Sequence, residues 1–212
     1  MDALQGSLAR MPLLAVLRGI TPEEAVPVGE VLLRHGIEIL EVPLNSPEPY
    51  RSIRLLADRF GAAALVGAGT VLQPAEAARV AEAGGRIAVS PNFDPAVVAA
   101  SRTAGLLSVP GIFTPSEAFA ALKAGADALK LFPGDAVSPK VVGALRAVLP
   151  AGTRIVVTGG VGTENLADWL SGGADGAGIG SALYKPGKPV AEVEAYARRL
   201  SDAVTAWREA AS

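Results

Sequence analysis

Short apolar runs alternate with longer amphipathic stretches along the chain from Leu13 onward. The runs are rich in branched apolar residues, which is typical of buried strands, and the stretches have apolar positions at helical spacing. The predicted strands are Leu13–Leu17, Ile37–Val42, Ala63–Val66, Arg86–Val89, Leu106–Val109, Ala128–Phe132, Arg154–Val157 and Gly176–Ile179. The predicted helices are Pro22–His35, Pro47–Phe60, Pro74–Ala83, Pro95–Ala104, Pro115–Ala124, Pro139–Leu149, Thr163–Ser171 and Pro189–Glu209.

Turn residues mark the ends of these helices. Many begin with a capping residue followed by Pro, which favours the first helical position. These pairs are Thr21-Pro22, Ser46-Pro47, Asp94-Pro95, Thr114-Pro115 and Ser138-Pro139. Strict alternation of eight strands with eight helices predicts an α/β fold, a single-domain (β/α)8 TIM barrel over residues 1–212. A doubly wound open sheet is the alternative.

The composition narrows the class of protein. The formal net charge is −2, aromatic residues make up 5% and no basic run occurs, so we expect no nucleic-acid surface. No apolar run approaches the roughly 18 residues that cross a bilayer. The first residues lack the basic start and apolar core of a signal peptide. These features predict a cytoplasmic protein with no membrane partner.

Cysteine and histidine are nearly absent. The chain has no Cys and one His, His35, which ends a predicted helix where a cation suits the helix dipole. Thiol nucleophiles and multi-His metal sites are therefore excluded, and a Ser-His-Asp triad would need His35 itself. A metal-dependent sugar-phosphate epimerase, which would need several strand-end ligands, fits poorly. We expect no cofactor and no metal.

Lys130 has the most informative position among the possible catalytic residues. It is the only one of the five lysines inside a predicted strand, Ala128–Phe132. Burial lowers the pKa of a lysine, and a neutral amine is the form that attacks a ketone. A structural lysine paired with a carboxylate is the alternative. The end of a barrel strand favours catalysis, because TIM-barrel active sites lie there.

Glu41 is a second charged residue inside a predicted strand, and it could act together with Lys130. Alternation within Ile37–Val42 places Ile39 and Glu41 on the same face of the strand. Partial desolvation raises the pKa of a carboxyl toward the range useful for acid/base catalysis. Glu41 could instead only neutralise Lys130 or Arg18, and one active-site pair can do both.

Two glycine clusters indicate a phosphate site. Thr158–Gly162 follows the seventh strand, and Gly176–Ser181 contains the eighth strand and its end. TIM barrels often bind phosphate with the backbone N–H groups of these two loops. Tight turns without a ligand are the alternative. A dinucleotide fingerprint fits poorly, since no βαβ unit follows the second cluster.

Arg18 and Thr70 also lie at strand ends. Arg18 could bind a substrate carboxylate or form a salt bridge on the barrel rim. Thr70 could donate to the same carboxylate or cap the next helix. A non-catalytic module that binds a phosphorylated ligand explains the glycines, but it explains neither Lys130 nor Glu41.

Six segments in order along the chain resemble the 2-keto-3-deoxy-6-phosphosugar-acid aldolases, which are class I enzymes that form pyruvate. The segments are Glu41–Pro47, Val66–Leu72, Ser90-Pro91-Asn92, Leu129–Pro133, Thr158–Val161 and Gly178–Ser181. The resemblance implies a reversible cleavage of a phosphorylated keto-deoxy sugar acid to pyruvate, without a cofactor. It also implies a homotrimer.

Within that family, the chain resembles the galactonate branch more than the gluconate branch. The gluconate branch typically has E-V-T-L-R-T in the second strand, where this chain has Glu41–Ser46 with Asn45 in place of the Arg. Thr158 departs from the galactonate branch, which can carry Val there, so activity on both C4 epimers is an alternative. A 4-hydroxy-2-oxoglutarate activity is a more remote alternative.

The resemblance implies a role for each matching residue. Lys130 forms the Schiff base and Glu41 is the general acid/base. Thr70 binds the pyruvyl carboxylate. Our own hypothesis, beyond the resemblance, is that Arg18 replaces the missing Arg of position 45 in binding that carboxylate. Thr158 lines the sugar-acid pocket, and Pro91 is a further substrate-binding residue. The phosphate is held by Gly159, Gly160, Gly180 and Ser181.

Overall fold

The structure, a computed structural model, describes residues 2–210 and forms one parallel sheet rolled into a barrel. The sheet order is β5-β4-β3-β2-β1-β9-β8-β7-β6, and neighbouring strands in this order run parallel. The strands are β1 (Leu13–Val16), β2 (Ile39–Pro43), β3 (Leu65–Gly69), β4 (Ile87–Val89), β5 (Leu107–Val109), β6 (Gly111–Ile112), β7 (Leu129–Leu131), β8 (Ile155–Thr158) and β9 (Gly176–Ile179).

The barrel closes through a strand that is split at Pro110. Since Pro has no N–H, the ladder is interrupted there, and the strand continues as β5 before Pro110 and β6 after it. Hydrogen bonds from β7 span the break: Lys130 N donates to Pro110 O at 2.8 Å, and Phe132 N donates to Ile112 O at 3.2 Å. The predicted eight-strand TIM barrel is therefore confirmed, and the alternative of an open sheet is wrong.

Helices pack around the barrel, and most of them connect one strand to the next. They are α1 (Ala3–Arg10), α2 (Pro22–Arg34), α3 (Pro49–Phe60), α4 (Pro74–Glu82), α5 (Pro95–Thr103), α6 (Pro115–Ala124), α7 (Lys140–Arg146), α8 (Leu166–Ser171) and α9 (Val190–Ala210), with single 3-10 turns at Gly61–Ala63 and Gly134–Ala136. The predicted start of α3 at Ser46-Pro47 is wrong. The Ser46 hydroxyl instead accepts a hydrogen bond from Gly19 N at 2.9 Å, and the helix begins two residues later at Pro49.

Helix α1 was not predicted from the sequence. Asp2 caps it by accepting a hydrogen bond from Gln5 N at 2.9 Å. Its Leu4 and Leu8 belong to the same apolar cluster as residues of the barrel interior. Helix α1 therefore covers the amino-terminal end of the barrel.

The core has two parts. The larger lies between the barrel wall and the outer helices. The smaller fills the barrel itself with side chains that alternate inward along the strands. Its members are Leu4, Leu8, Leu14, Val16, Ile39, Leu65, Ile87, Val89, Val109, Ala128 and Val156, with Leu107 packed against them. Ile39 and Ala128 stand two residues before Glu41 and Lys130, so these two charged residues form the next inward layer toward the carboxyl ends of the strands. No helix within residues 2–210 combines the length and the apolar character that crossing a lipid bilayer requires.

Candidate active site

A cavity of about 350 Å³ opens at the carboxyl ends of the strands, where TIM-barrel enzymes bind their substrates. Nine of the ten residues predicted for the site line its wall, and Glu41 lies buried behind it. The nine are Arg18, Thr70, Pro91, Lys130, Thr158, Gly159, Gly160, Gly180 and Ser181.

Lys130 reaches the cavity from inside the barrel. Lys130 is only 8% exposed, and its Nζ atom lies 5.1 Å from the centre of the Phe132 ring. Among residues 2–210, no side chain or carbonyl forms a hydrogen bond or an ion pair with the Lys130 amine. A buried amine without a fixed partner is free to react with a carbonyl group in the cavity.

Glu41 is buried more deeply, with 2% of its surface exposed. Its Oε2 atom has no hydrogen-bond partner in the described chain. Space for the carboxylate exists because position 69 is Gly: a Cβ at Gly69 would overlap Oε1 of Glu41. Burial raises the pKa of Glu41, and the positive charges of Lys130 and Arg18 oppose that effect. This carboxyl is suited to exchange protons with a ligand or a water next to Lys130.

Arg18 lies on the exposed rim just after β1. Its guanidinium donates to Asn45 Oδ1 at 3.3 Å, so the side chains of positions 18 and 45 meet at the cavity. A guanidinium there can bind a carboxylate with two hydrogen bonds.

Thr70 and Pro91 form the wall beyond β3 and β4. Thr70 does not cap helix α4, because Gln73 occupies the N-cap position. The buried Ser90 hydroxyl donates to Val71 O at 2.7 Å and so connects the two segments. This arrangement leaves the Thr70 side chain available to a ligand.

The loop after β8 carries two glycines in the left-handed region, Gly159 at φ +101° and Gly160 at φ +68°. A Cβ at Gly160 would come within 2.7 Å of the Asp135 Cβ, so both conformation and packing require Gly. Asn165 fixes the loop from outside the cavity. Its Oδ1 accepts from Gly162 N at 3.0 Å, and its Nδ2 donates to Gly160 O at 2.9 Å.

The loop after β9 brings Gly180 and Ser181 to the same cavity. A Cβ at Gly180 would meet no atom within 4 Å, so packing does not explain this Gly, but a ligand that approaches the backbone would. Within the described chain, the backbone N–H groups of Gly159, Gly160, Gly180 and Ser181 donate no hydrogen bond. Such free N–H groups on two adjacent loops are suited to a phosphate.

Thr158 ends β8 beside β9. A Cβ at Gly178 would overlap the Thr158 Oγ1 atom, so the Gly makes room for the Thr hydroxyl at the cavity wall. The hydroxyl can donate to or accept from a ligand hydroxyl, whereas a Val could do neither.

Several residues near the cavity were not predicted. Phe132 lines it, and its apolar character gave no signal in the sequence beyond a core position. Asn165 and Lys188 were not predicted either, although each forms two hydrogen bonds to one of the loops that follow β8 and β9. Within residues 2–210, no cluster of three or more His, Cys, Asp or Glu is placed to hold a metal ion.

The chain is similar to known aldolases over nearly its whole length. It is 46% identical over 193 residues to "Probable 2-dehydro-3-deoxy-6-phosphogalactonate aldolase" of Rhizobium meliloti (strain 1021), with 91% of each chain covered. It is 43% identical over 201 residues to "2-dehydro-3-deoxy-6-phosphogalactonate aldolase" of Escherichia coli (strain K12), covering 95% of this chain and 97% of that one.

A solved structure and a family model agree with these relatives. The structure titled "Native KDPGal structure" superposes with a TM-score of 0.92 at 41% identity, covering 94% of this chain and 97% of that one. The family model described as "KDPG and KHG aldolase" matches residues 4–196. This chain is therefore an aldolase that belongs to the KDPG and KHG aldolase family.

Proposed function

We propose that this chain is a class I aldolase that reversibly cleaves 2-dehydro-3-deoxy-6-phosphogalactonate to pyruvate and D-glyceraldehyde 3-phosphate. One observation carries the proposal. An unpaired, buried Lys130 faces a cavity whose mouth is formed by two glycine loops with free N–H groups, and a desolvated carboxyl, Glu41, lies behind it. This arrangement matches a ketone at one end of a substrate and a phosphate at the other.

The reaction begins at the C2 ketone of the substrate. Lys130 Nζ attacks C2, and the carbinolamine that forms loses its hydroxyl as water after Glu41 supplies a proton. The product is an iminium ion between Nζ and C2. Its positive nitrogen accepts the electron pair of the next bond that breaks, so the covalent intermediate divides one difficult step into easier ones.

Carbon–carbon cleavage follows from that iminium ion. The Glu41 carboxylate takes the proton of the C4 hydroxyl, directly or through a water molecule. The C3–C4 bond breaks, its electrons form the enamine, and C4 leaves as the aldehyde of D-glyceraldehyde 3-phosphate. Protonation of C3 and hydrolysis of the iminium release pyruvate and restore the Lys130 amine. Each proton transfer by a positioned group is worth about 10²–10⁴ in rate.

Binding groups at the rim hold the two ends of the substrate. The free N–H groups of Gly159, Gly160, Gly180 and Ser181 would hold the phosphate, which suits an anion recognised by backbone donors. At the other end, Thr70 and Arg18 would bind the C1 carboxylate. No step requires a metal or an organic cofactor.

The galactonate epimer is the preferred substrate in this proposal. Asn45 in place of Arg, with Arg18 beside it, supports that choice, and so do the names of the two relatives. Thr158 lines the pocket with a hydroxyl that the galactonate branch can replace by Val, so the gluconate epimer is the second candidate. A 4-hydroxy-2-oxoglutarate activity would leave the glycine loops without an anion.

Covalent trapping tests the chemistry. Wild-type protein incubated with pyruvate and borohydride should gain one reduced pyruvyl adduct, which peptide mass spectrometry should place on Lys130. Lys130→Ala should show neither adduct nor turnover. Lys140→Ala, which changes an exposed lysine at the start of α7, is the matched control and should behave as wild type. An adduct on another lysine would refute the assignment of Lys130.

A parallel assay tests the substrate. Pyruvate release is coupled to lactate dehydrogenase, with the 6-phosphogalactonate- and 6-phosphogluconate-derived keto-deoxy acids side by side. A higher kcat/KM for the galactonate epimer supports the proposal. Equal values would point to Thr158 as the cause of a relaxed pocket, and Thr158→Val should then restore the preference. Inactivity of the folded protein with both acids would rule the activity out.

We also propose that the enzyme works as a homotrimer in the cytoplasm. The large apolar side chains of Leu72, Phe113, Phe119 and Val148 are each more than 40% exposed, which is compatible with burial between subunits. Sedimentation velocity should give a single species with three times the mass of 21.5 kDa. A monomer at micromolar concentration would contradict this proposal without affecting the chemistry.

A further inference from the structure

Lys188 holds the loop after β9 through hydrogen bonds to two backbone carbonyl groups. Lys188 Nζ donates to Ala182 O at 2.7 Å and to Leu183 O at 2.8 Å. The Lys188 side chain does not line the cavity, and its amine lies 5.2 Å from the centre of the Tyr196 ring. The ammonium group is therefore fixed on the far side of the loop from the proposed phosphate.

Both peptide groups that accept from Lys188 donate onward to one atom. The N–H of Leu183 belongs to the peptide group of the Ala182 carbonyl, and it donates to Gly180 O at 2.9 Å. The N–H of Tyr184 belongs to the peptide group of the Leu183 carbonyl, and it donates to the same Gly180 O at 3.1 Å. Two short hydrogen-bond chains thus run from Lys188 to the Gly180 carbonyl.

The end of both chains is a donor at the cavity. The Gly180 carbonyl shares its peptide group with the N–H of Ser181, which has no acceptor among the described residues. Hydrogen bonds in a chain polarise one another, and a charged first donor strengthens each later one. The positive charge of Lys188 therefore makes the Ser181 N–H a stronger donor without itself touching the ligand.

We propose that Lys188 is the positioning residue of the phosphate site, which fixes the Gly180–Tyr184 turn and polarises the Ser181 N–H toward a phosphate dianion. This inference rests on the proposed function, because it takes the glycine loops as the phosphate-binding groups. Lys188 acts through the loop and is not a catalytic residue.

The surroundings of Lys188 agree with this assignment. Burial lowers the pKa of Lys188, repulsion from Lys185 and Arg199 adds to that effect, and Glu192 opposes it. A partly desolvated ammonium beside other cations is stabilised by an anion nearby, so a phosphate on the loop and the charge on Lys188 favour each other.

The test compares phosphate binding with pyruvate chemistry in Lys188→Met. The competitive inhibition constant of inorganic phosphate and the KM of the phosphorylated acid should both rise about tenfold, as expected for the loss of a charged hydrogen bond of about 1.5 kcal/mol. Exchange of the methyl protons of pyruvate in D2O, followed by NMR, should stay within twofold of wild type, because it needs Lys130 and Glu41 but no phosphate.

Three further variants separate the explanations. Lys185→Met removes the same charge from an exposed neighbour whose side chain forms no hydrogen bond within residues 2–210, and it should change the phosphate constant less than threefold. Lys188→Arg keeps the charge and the donors and should recover most of the affinity. If Lys188→Met does not fold, Lys188→Gln keeps a neutral donor, and a clear loss of phosphate affinity is still expected.

The outcomes distinguish this inference from the proposed function. Wild-type affinity for phosphate in Lys188→Met, or an equal loss in Lys185→Met, would overturn the role of Lys188 and leave the aldolase chemistry intact. If wild-type protein failed to exchange the pyruvate protons, the proposed function would fall, and this inference with it.

Discussion

Glu41 is buried, and its Oε2 atom has no hydrogen-bond partner within the described chain. Burial raises its pKa, so the protonated form persists to a higher pH than for an ordinary Glu, whose pKa is about 4.3. In the proposed mechanism, the carboxylate form of Glu41 removes the proton of the C4 hydroxyl. Turnover should therefore fall as the pH drops through the raised pKa of Glu41.

Glu41→Gln should lower kcat by about 10²–10⁴ and abolish this acidic limb of the profile of kcat against pH. Glu164→Gln is the matched control, since it removes an exposed carboxylate beside the glycine loop, and it should keep the wild-type profile. Persistence of the acidic limb in Glu41→Gln would remove this residue from the proton transfer.

Gly69 gives a second, steric prediction about the same carboxyl. In Gly69→Ala the new Cβ would overlap Glu41 Oε1 and displace it. A displacement of about 1 Å costs about 10² in rate, and overpacking costs about 1–3 kcal/mol of stability. Steady-state kinetics and urea unfolding measure both effects. Gly143→Ala on α7, where the nearest atom lies 3.9 Å away, should keep full activity and gain up to about 1 kcal/mol.

Arg18 is the residue on which the assignment of the carboxylate site depends. Arg18→Met should raise the KM for the substrate, and for pyruvate in the reverse reaction, about tenfold or more, because a charge-assisted hydrogen bond is worth about 1.5–3 kcal/mol. Arg51→Met, which removes another exposed guanidinium, is the control. Unchanged Michaelis constants in Arg18→Met would mean that Arg18 does not bind the carboxylate.

The sequence identified most of the cavity wall because charged or Gly-rich strand ends are rare enough to stand out. Lys130 inside an apolar strand and Glu41 inside another were informative for that reason. Phe132 and Lys188 gave no such signal: an aromatic residue in a strand looks like core, and a loop lysine looks solvated. Their relation to the site exists only in three dimensions.

At the scale of elements, helix α1 shows what periodicity could not predict. Eight residues with the apolar pair Leu4 and Leu8 are too short for a clear pattern, yet both side chains are buried in the barrel cluster. The sequence did not predict the split strand at Pro110 either, because the short apolar run before Pro110 has the pattern of a complete strand. The order of the other strands and helices was predicted, because apolar runs alternate with amphipathic stretches and turn residues separate many of them.

The same helix gives a prediction about stability. Leu4 is fully buried, so Leu4→Ala should lower the free energy of unfolding by about 2–5 kcal/mol, measured by urea denaturation. Turnover per folded molecule should stay near wild type, because the helix lies at the end of the barrel opposite to the cavity. Leu4→Met keeps the volume and should cost less than about 1.5 kcal/mol. Equal losses in both variants would argue against packing in the barrel as the role of Leu4.

At the scale of the whole molecule, the proposed chemistry uses only Lys130 and Glu41, in a barrel that supplies no cluster of metal ligands among residues 2–210. Turnover should therefore survive overnight dialysis against EDTA without loss. The same assay after readdition of Mg²⁺, Mn²⁺ or Zn²⁺ serves as the control and should show no activation. A loss that a divalent ion restores would point to metal-assisted chemistry instead.

Apolar side chains fill the barrel below Lys130, and helix α1 covers its amino-terminal end. A ligand can therefore enter only from the cavity at the carboxyl ends of the strands. In the proposed mechanism, the three carbons that stay bonded to Lys130 lie at the bottom of the barrel interior, and the phosphate end lies at the mouth of the cavity. After cleavage, the aldehyde stands between the enamine and bulk solvent. The proposed mechanism therefore predicts sequential release, with the aldehyde leaving first and pyruvate last, and it predicts that pyruvate binds before the aldehyde in the synthetic direction.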